Sequence, residues 1–144
     1  MGLTHYWIWN DKPKPERMSA CIADMKRVLK TTRVPLASGS GSGDPSVTHS
    51  DLVLNGREPD DCEPFTFPGQ TEVPAGSDEA FNFCKTKWQP YDEVVTALLL
   101  VAAEHFGRSE LTVDSDGEWE EWGPGRSLYE RVFGKKAKNP IPSE

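Results

Sequence analysis

The strongest constraint on how this chain folds is an apolar run at residues 94–103, in which Thr96 is the only polar residue. Asp92 and Glu93 directly before the run suit the first turn of a helix, where the helix dipole favours negative charge. A helix that is apolar on almost every side must be buried on most of them. The run is about half as long as a bilayer span requires. The sequence therefore predicts a protein core around this helix and no membrane partner.

Two elements near the N-terminus are predicted from their side-chain patterns. Residues 3–9 are rich in aromatic and β-branched types, which indicates a strand. Alternation puts Leu3, His5, Trp7 and Trp9 on one face and Thr4, Tyr6 and Ile8 on the other. Because both faces carry bulky groups, we expect this strand to be central and covered on both sides. A helix begins near Pro15, and its apolar stripe comprises Met18, Cys21, Ile22, Met25, Val28 and Leu29.

The remaining predicted elements are short. Strands are expected at 52–54, 65–67, 81–86 and 111–113, a hairpin turn at Asp116–Gly117 leads into 118–122, and a last helix covers 126–133. Gly107 is expected to cap the long helix. The order predicts an α+β fold, a single mostly antiparallel sheet packed by two main helices plus a short C-terminal helix.

We expect one domain at residues 1–134. It would contain a flexible Gly/Ser-rich loop at about 37–50 and an irregular excursion at about 68–80. Residues 135–144 are expected to form a mobile tail.

The distribution of charge limits the classes of partner. The chain has 16 Lys and Arg against 23 Asp and Glu, which gives a formal net charge of -7. Residues 44–79 carry acidic side chains with Arg57 as the only cation. A duplex-binding protein needs a broad basic face, so we expect no nucleic-acid polymer as partner. The N-terminus has no apolar signal region, and the expected location is the cytoplasm.

The pattern of potential ligands predicts neither a metal nor a cofactor. Cys21, Cys62 and Cys84 form no C-x-x-C pair and are expected to be free thiols. His5, His49 and His105 have no metal-ligand spacing. The Gly/Ser loop could cradle a phosphate, and the acidic residues at 114–121 could hold a cation. The loop lacks a Walker lysine, and the acidic stretch lacks EF-hand spacing, so a mobile loop and a solvated turn are favoured.

Several motifs together resemble one family of small proteins. They are Gly2-Leu3-Thr4-His5-Tyr6-Trp7, Leu54-Asn55-Gly56, Cys62-Glu63-Pro64-Phe65, Phe83-Cys84-Lys85-Thr86, Pro90-Tyr91-Asp92 and Ser115-Asp116-Gly117. This combination resembles proteins of phages, prophages and scattered bacterial genomes that begin with a Tyr-Thr-His-Tyr-Trp-like motif. The chain departs from that pattern at Leu3, where tyrosine is expected, and at Trp88-Gln89, where a basic pair is expected. The resemblance implies a mobile-element setting, with the host cytoplasm as location, but no activity.

The polar residues of these motifs lie beside aromatic ones, which suggests a small-ligand pocket. The candidate binding residues are His5, Tyr6, Trp7, Asn55, Glu63, Cys84, Lys85, Thr86, Tyr91 and Asp92. A helix N-terminus behind Pro90 would suit an anionic ligand. The leading hypothesis is a non-enzymatic protein that sequesters a small nucleotide-like, anionic molecule and thereby counteracts host defence.

Two other hypotheses remain open. A small hydrolase or transferase could use Cys84 as nucleophile, if a nearby cation lowers its pKa, or could use His5. A protein-binding inhibitor could act through the acidic surface at residues 44–79, and such binding would depend strongly on salt. An oligomer is compatible with each hypothesis.

Overall fold

The computed structural model describes residues 3–142. The strands are β1 (Thr4–Trp9), β2 (Leu36–Ala37), β3 (Ser46–Val47), β4 (Leu52–Gly56), β5 (Phe65–Phe67), β6 (Ala80–Lys85) and β7 (Leu111–Ser115). The helices are α1 (Pro15–Thr31), α2 (Asp92–Glu110) and α3 (Gly123–Phe133), with a 3-10 helix at Trp119–Trp122 before α3. The α+β class is therefore confirmed. The motif residue Gly2 and the last two residues of the expected tail lie outside the described part of the chain.

The strands form two antiparallel sheets, and the expectation of a single sheet is wrong. β1 lies between β6 and β7, so its predicted central place is confirmed. β4 is the centre of the second sheet and pairs with β2, β3 and β5. The three partners of β4 are only two or three residues long, and none of them pairs with β6.

The apolar run forms the buried helix that its composition predicts. Every residue from Val94 to Ala102 is buried in α2. The buried side of α1 matches the predicted stripe except for Leu29, which is only partly buried. Gly125 of α3 lies so close to α2 that an added Cβ would overlap the Thr96 hydroxyl. The absence of a side chain at this position lets α3 pack directly on α2.

The regular helical backbone of α2 stops at Gly107, where its end is predicted, whereas the strand predicted at residues 118–122 is wrong. Gly107 has a φ of 67° and a ψ of 164°, a combination that is open almost only to glycine. It interrupts the helical backbone of α2. Residues 108–110 then form the short remaining part of α2, and β7 begins directly after them at Leu111. Trp119–Trp122 forms a 3-10 helix instead of a strand, because Glu118 before it and Glu121 within it form a reciprocal capping box and Trp122 is buried against His5.

The segment after α3 packs on the domain. Ala137 and Pro140 are buried, Lys135 pairs with Glu104 at 3.0 Å, and Arg108 donates a hydrogen bond to the Asn139 carbonyl. Packing therefore continues beyond the expected domain boundary at residue 134.

One face of the β6-β1-β7 sheet, here called the outer face, is not covered. Phe81 and Phe83 of β6 are 50% and 55% exposed, and Tyr6 and Ile8 of β1 lie beside them in register. The expectation that β1 is covered on both sides is wrong for this face. No helix in residues 3–142 is long and apolar enough to cross a membrane.

The turn between β6 and α2 holds two non-glycine residues in the left-handed region. Lys87 has a φ of 52° and Trp88 a φ of 58°, and the Gln89 amide donates to the Thr86 carbonyl at 3.0 Å. Positive φ at both central residues is the pattern of type I′ turns, which favour Asn-Gly. Neither lysine nor tryptophan is suited to it.

This turn makes a stability prediction. Lys87→Asn should raise the free energy of unfolding by about 0.5–1 kcal/mol, because asparagine tolerates positive φ better than lysine. Lys87→Val should lower it by about 1 kcal/mol, because a β-branched side chain tolerates this region worst. Urea denaturation of the two variants measures both changes, and equal stabilities would contradict the assigned turn.

Candidate functional site

A buried histidine joins three elements of the fold. His5 on β1 is 0% exposed. Its Nε2 lies 2.6 Å from Oδ1 of Asp92, the first residue of α2. Its Nδ1 lies 2.8 Å from Oγ of Ser115, the last residue of β7. His5 and Asp92 are candidates predicted from the sequence, whereas Ser115 is not, since its only signal is its place in the Ser-Asp-Gly motif.

The remaining partners decide which atoms donate. Asp92 Oδ1 also accepts from the Thr86 hydroxyl at 2.6 Å. A carboxylate only accepts, so we assign the proton of neutral His5 to Nε2, and Nδ1 then accepts from Ser115. The Ser115 oxygen accepts in turn from the Gly117 amide at 2.9 Å and from Trp122 Nε1 at 3.3 Å. The Ser115 hydroxyl thereby uses its one proton and both of its lone pairs.

The order Ser115–His5–Asp92 has the composition of a hydrolase triad. In a working triad, however, the serine oxygen must offer a lone pair to the substrate. Here both lone pairs face protein donors, and the general base is fully buried. This arrangement favours a structural role, in which the cluster ties β1, β7 and the start of α2 together.

A second group of candidate residues connects the two sheets. The Tyr91 hydroxyl donates to the Glu63 carbonyl at 2.6 Å, and the Lys85 amide donates to the Glu63 carboxylate at 2.8 Å. The Asn55 side chain exchanges two hydrogen bonds with the backbone of Cys62. Tyr91 and Asn55 are buried, so these contacts stabilise the interior.

The proposed nucleophile Cys84 lies in this second group. Its Sγ donates to the Glu63 carbonyl at 3.4 Å. Burial raises the pKa of the Cys84 thiol to about 12. A thiol that stays protonated at neutral pH is a poor nucleophile, and the structure does not favour catalysis by Cys84.

The last candidates lie apart from each other. Trp7 is buried, and its Nε1 donates to the Pro68 carbonyl. Tyr6 is on the outer face, where its hydroxyl donates to Asp116 Oδ1 at 3.0 Å. The three pockets described below are lined by none of the ten candidate residues.

A pocket of about 240 Å³ lies where Gly107 interrupts α2, and we call it the α2-end pocket. Its lining residues are Leu100, Ala103, Glu104, Gly107, Arg108, Leu111, Val113, Tyr129, Lys138, Asn139 and Pro140. The apolar side chains come from α2, β7, α3 and the segment after α3. This segment, which was expected to be a mobile tail, closes one side of the pocket.

The charges at this pocket are mainly positive. Arg108 and Lys138 have no carboxylate within 4.0 Å among residues 3–142. The one acidic lining residue, Glu104, pairs with Lys135. Two cations without a carboxylate partner therefore lie together at the rim of a pocket with apolar walls.

Two other pockets have different properties. One of about 380 Å³ is lined by acidic side chains that include Asp114, Asp116, Glu118 and Glu120. Within residues 3–142 no group of three or more His, Cys, Asp or Glu side chains is arranged to hold a metal ion. The other has about 30 Å³ and lies beside the hydrogen-bonded pair His105–Asp24, so it is too small for more than a water molecule or two.

No family model, curated protein or solved structure matches the chain. The resemblance to phage proteins therefore stays an expectation. The choice between the sites depends on their geometry alone.

The hydrogen bonds among His5, Asp92 and Ser115 lead to a second prediction about stability. Ser115→Ala should lower the free energy of unfolding by roughly 2–4 kcal/mol, because it leaves His5 Nδ1, the Gly117 amide and Trp122 Nε1 without their shared partner. Ser127→Ala, on the exposed side of α3, is the matched control and should change stability by less than about 0.5 kcal/mol. Equal effects in urea denaturation would show that the cluster does not hold the fold.

The thiols allow a direct chemical test of burial. Cys21 and Cys84 are buried, whereas Cys62 is partly exposed. Burial raises the pKa of both buried thiols, so their thiolate forms should be scarce at pH 8. A disulfide-exchange reagent such as DTNB should titrate one thiol rapidly in the folded chain and three in urea. Rapid reaction of Cys84 in the folded chain, identified by mass spectrometry of its peptide, would revive the hydrolase hypothesis.

Proposed function

We propose that this protein is a non-enzymatic binder of a small ligand that has one apolar ring and an anionic group. The observation that carries the proposal is the α2-end pocket, where apolar walls meet the free cations of Arg108 and Lys138. Apolar walls with few well-placed polar groups are the usual form of a small-molecule site. The proposal keeps the anionic ligand expected from the sequence and moves its site away from the ten candidate residues.

The size of the pocket narrows the ligand class. Pockets for drug-sized ligands have about 300–1,000 Å³, and this one has about 240 Å³. The volume has room for about one ring against the apolar walls, with its anionic group at the rim formed by Arg108 and Lys138. A complete nucleotide would leave its sugar or its base outside, so an aromatic carboxylate or a ring phosphate suits the pocket better.

The chemistry of the lining favours binding over turnover. Within residues 3–142, no serine, cysteine or histidine lines the pocket. Burial raises the pKa of Tyr129, so its hydroxyl stays protonated at neutral pH. The pocket therefore offers hydrogen-bond donors and cations but no activated nucleophile.

The biological setting of the proposal comes from the sequence resemblance. A phage-type protein in the host cytoplasm could counteract host defence by sequestering such a molecule. Because simple sequestration removes one ligand per protein, it requires tight binding and abundant protein rather than turnover.

Isothermal titration calorimetry with a panel of compounds tests the proposal. The panel contains benzoate, indole-3-carboxylate, phenyl phosphate, nucleoside monophosphates and cyclic nucleotides, together with the neutral amides of the two carboxylates. We expect at least one ring anion to bind and its amide to bind at least tenfold more weakly. Chromatography of the recovered ligand should show that it is chemically unchanged.

Variants of the two cations link binding to this pocket. Arg108→Gln or Lys138→Gln should each weaken binding by about 10- to 100-fold, since a charge-assisted hydrogen bond contributes about 1.5–3 kcal/mol. Lys136→Gln, an exposed lysine outside the lining, is the control and should bind like the unaltered chain. If no compound binds, or if amides bind as well as anions, the proposal is wrong. The two cations then only offset the negative C-terminal end of the α2 dipole.

A further inference from the structure

The outer face of the β6-β1-β7 sheet carries an exposed aromatic cluster. The rings of Tyr6 and Phe81 are 5.7 Å apart, and those of Phe81 and Phe83 are 6.1 Å apart. Ile8 pairs directly with Phe81 in the sheet register. An antiparallel sheet that faces water on one side normally carries polar residues there. A continuous exposed apolar patch instead indicates an interaction surface.

Charged side chains flank this cluster in an ordered way. By strand alternation, Lys85 of β6 shares the outer face with Phe81 and Phe83. It lies at one edge of the sheet, and Asp114 and Asp116 lie at the opposite edge, in and just after β7. None of these three charges has an ion-pair partner within 4.0 Å in residues 3–142. The face thus has a cationic side chain, Lys85, at one edge and two carboxylates, Asp114 and Asp116, at the other.

A surface with this charge order is complementary to itself. Two copies can stack with their outer faces together, related by a two-fold axis that lies between the two sheets and runs parallel to β1. This rotation places β6 of one copy over β7 of the other. Lys85 pairs with Thr4 in the register, and the Asp116 amide donates to the Thr4 carbonyl, so both charges lie in one row across the sheet. The two-fold operation brings Lys85 opposite the partner's Asp116 twice. The Tyr6 and Ile8 side chains then meet their own copies near the axis.

Other occupants fit this face less well. Exposed aromatic residues on a sheet can stack nucleic-acid bases. However, Asp116 binds the Tyr6 hydroxyl directly, and Asp114 lies beside Tyr6 in the register. Two carboxylates at the central aromatic residue would repel a phosphate backbone. A second copy of the chain supplies a cation at that place.

From the aromatic cluster and the opposed charges, we infer that the outer face is the contact between two copies of this chain in a symmetric dimer. The two sheets would pack face to face at about 10 Å, as in sandwiches. The α2-end pocket is lined from the opposite, core-facing side of β7. Dimer formation therefore leaves the proposed ligand site open and is independent of it.

Sedimentation velocity of the full chain between about 1 and 300 μM tests the dimer. The unaltered chain should shift with concentration from the mass of one chain to twice that mass. Phe83→Glu should weaken the dimer at least 100-fold, because it puts a charge into the apolar contact. Val73→Glu replaces an exposed apolar residue in a loop outside the sheet and should leave the dimer unchanged. Circular dichroism shows whether each variant is folded.

A charge exchange tests the two-fold arrangement itself. Lys85→Glu should weaken the dimer by about tenfold, and the double variant with Asp116→Lys should restore it to within about threefold of the unaltered chain. A chain that stays monomeric at 300 μM would overturn the inference. So would a dimer that survives Phe83→Glu, or binding of single-stranded RNA that Phe83→Glu abolishes in a monomeric chain.

Discussion

The placement of His5 is the constraint on which the rest of the structure depends. A central strand that buries an imidazole must supply a partner for each ring nitrogen, because an unpartnered buried polar group costs about 1–3 kcal/mol. Asp92 and Ser115 supply these partners from the start of α2 and the end of β7. The same contacts therefore set where the most apolar helix enters the core and where β7 turns away from the sheet. No buried side-chain polar atom is left without a partner in residues 3–142.

This constraint also explains why the polar motif residues do not form an open pocket. His5, Thr86 and Asp92 meet as the sequence analysis expected, but they meet inside the protein and satisfy one another. The concave surface with free cations arises elsewhere, where Gly107 interrupts α2 and the segment after α3 covers the gap. A motif rich in polar and aromatic residues can therefore indicate a buried hydrogen-bonded cluster as well as a binding site.

Elements that depend on contacts between residues close in sequence were predictable, and features that depend on contacts between distant residues were not. The buried helix, the amphipathic stripe of α1 and the strands predicted at 52–54, 65–67, 81–86 and 111–113 depend on local patterns, and the structure contains them. The division into two sheets, the 3-10 helix at Trp119–Trp122 and the packing of Ala137 depend on contacts between distant residues. Ser115 was missed for the same reason, since 110 positions separate it from its partner His5.

The sequence alone determined the α+β class, the central strand and the buried helix, because side-chain periodicity and burial of apolar surface act within each element. Only the tertiary structure decided which polar residues face each other, where a cavity remains open and which sheet face stays uncovered. These properties depend on how separate elements pack. The type and spacing of residues limit which reactions or contacts their side chains can make. The neighbours in space decide whether those side chains are buried and hydrogen-bonded or exposed to a ligand.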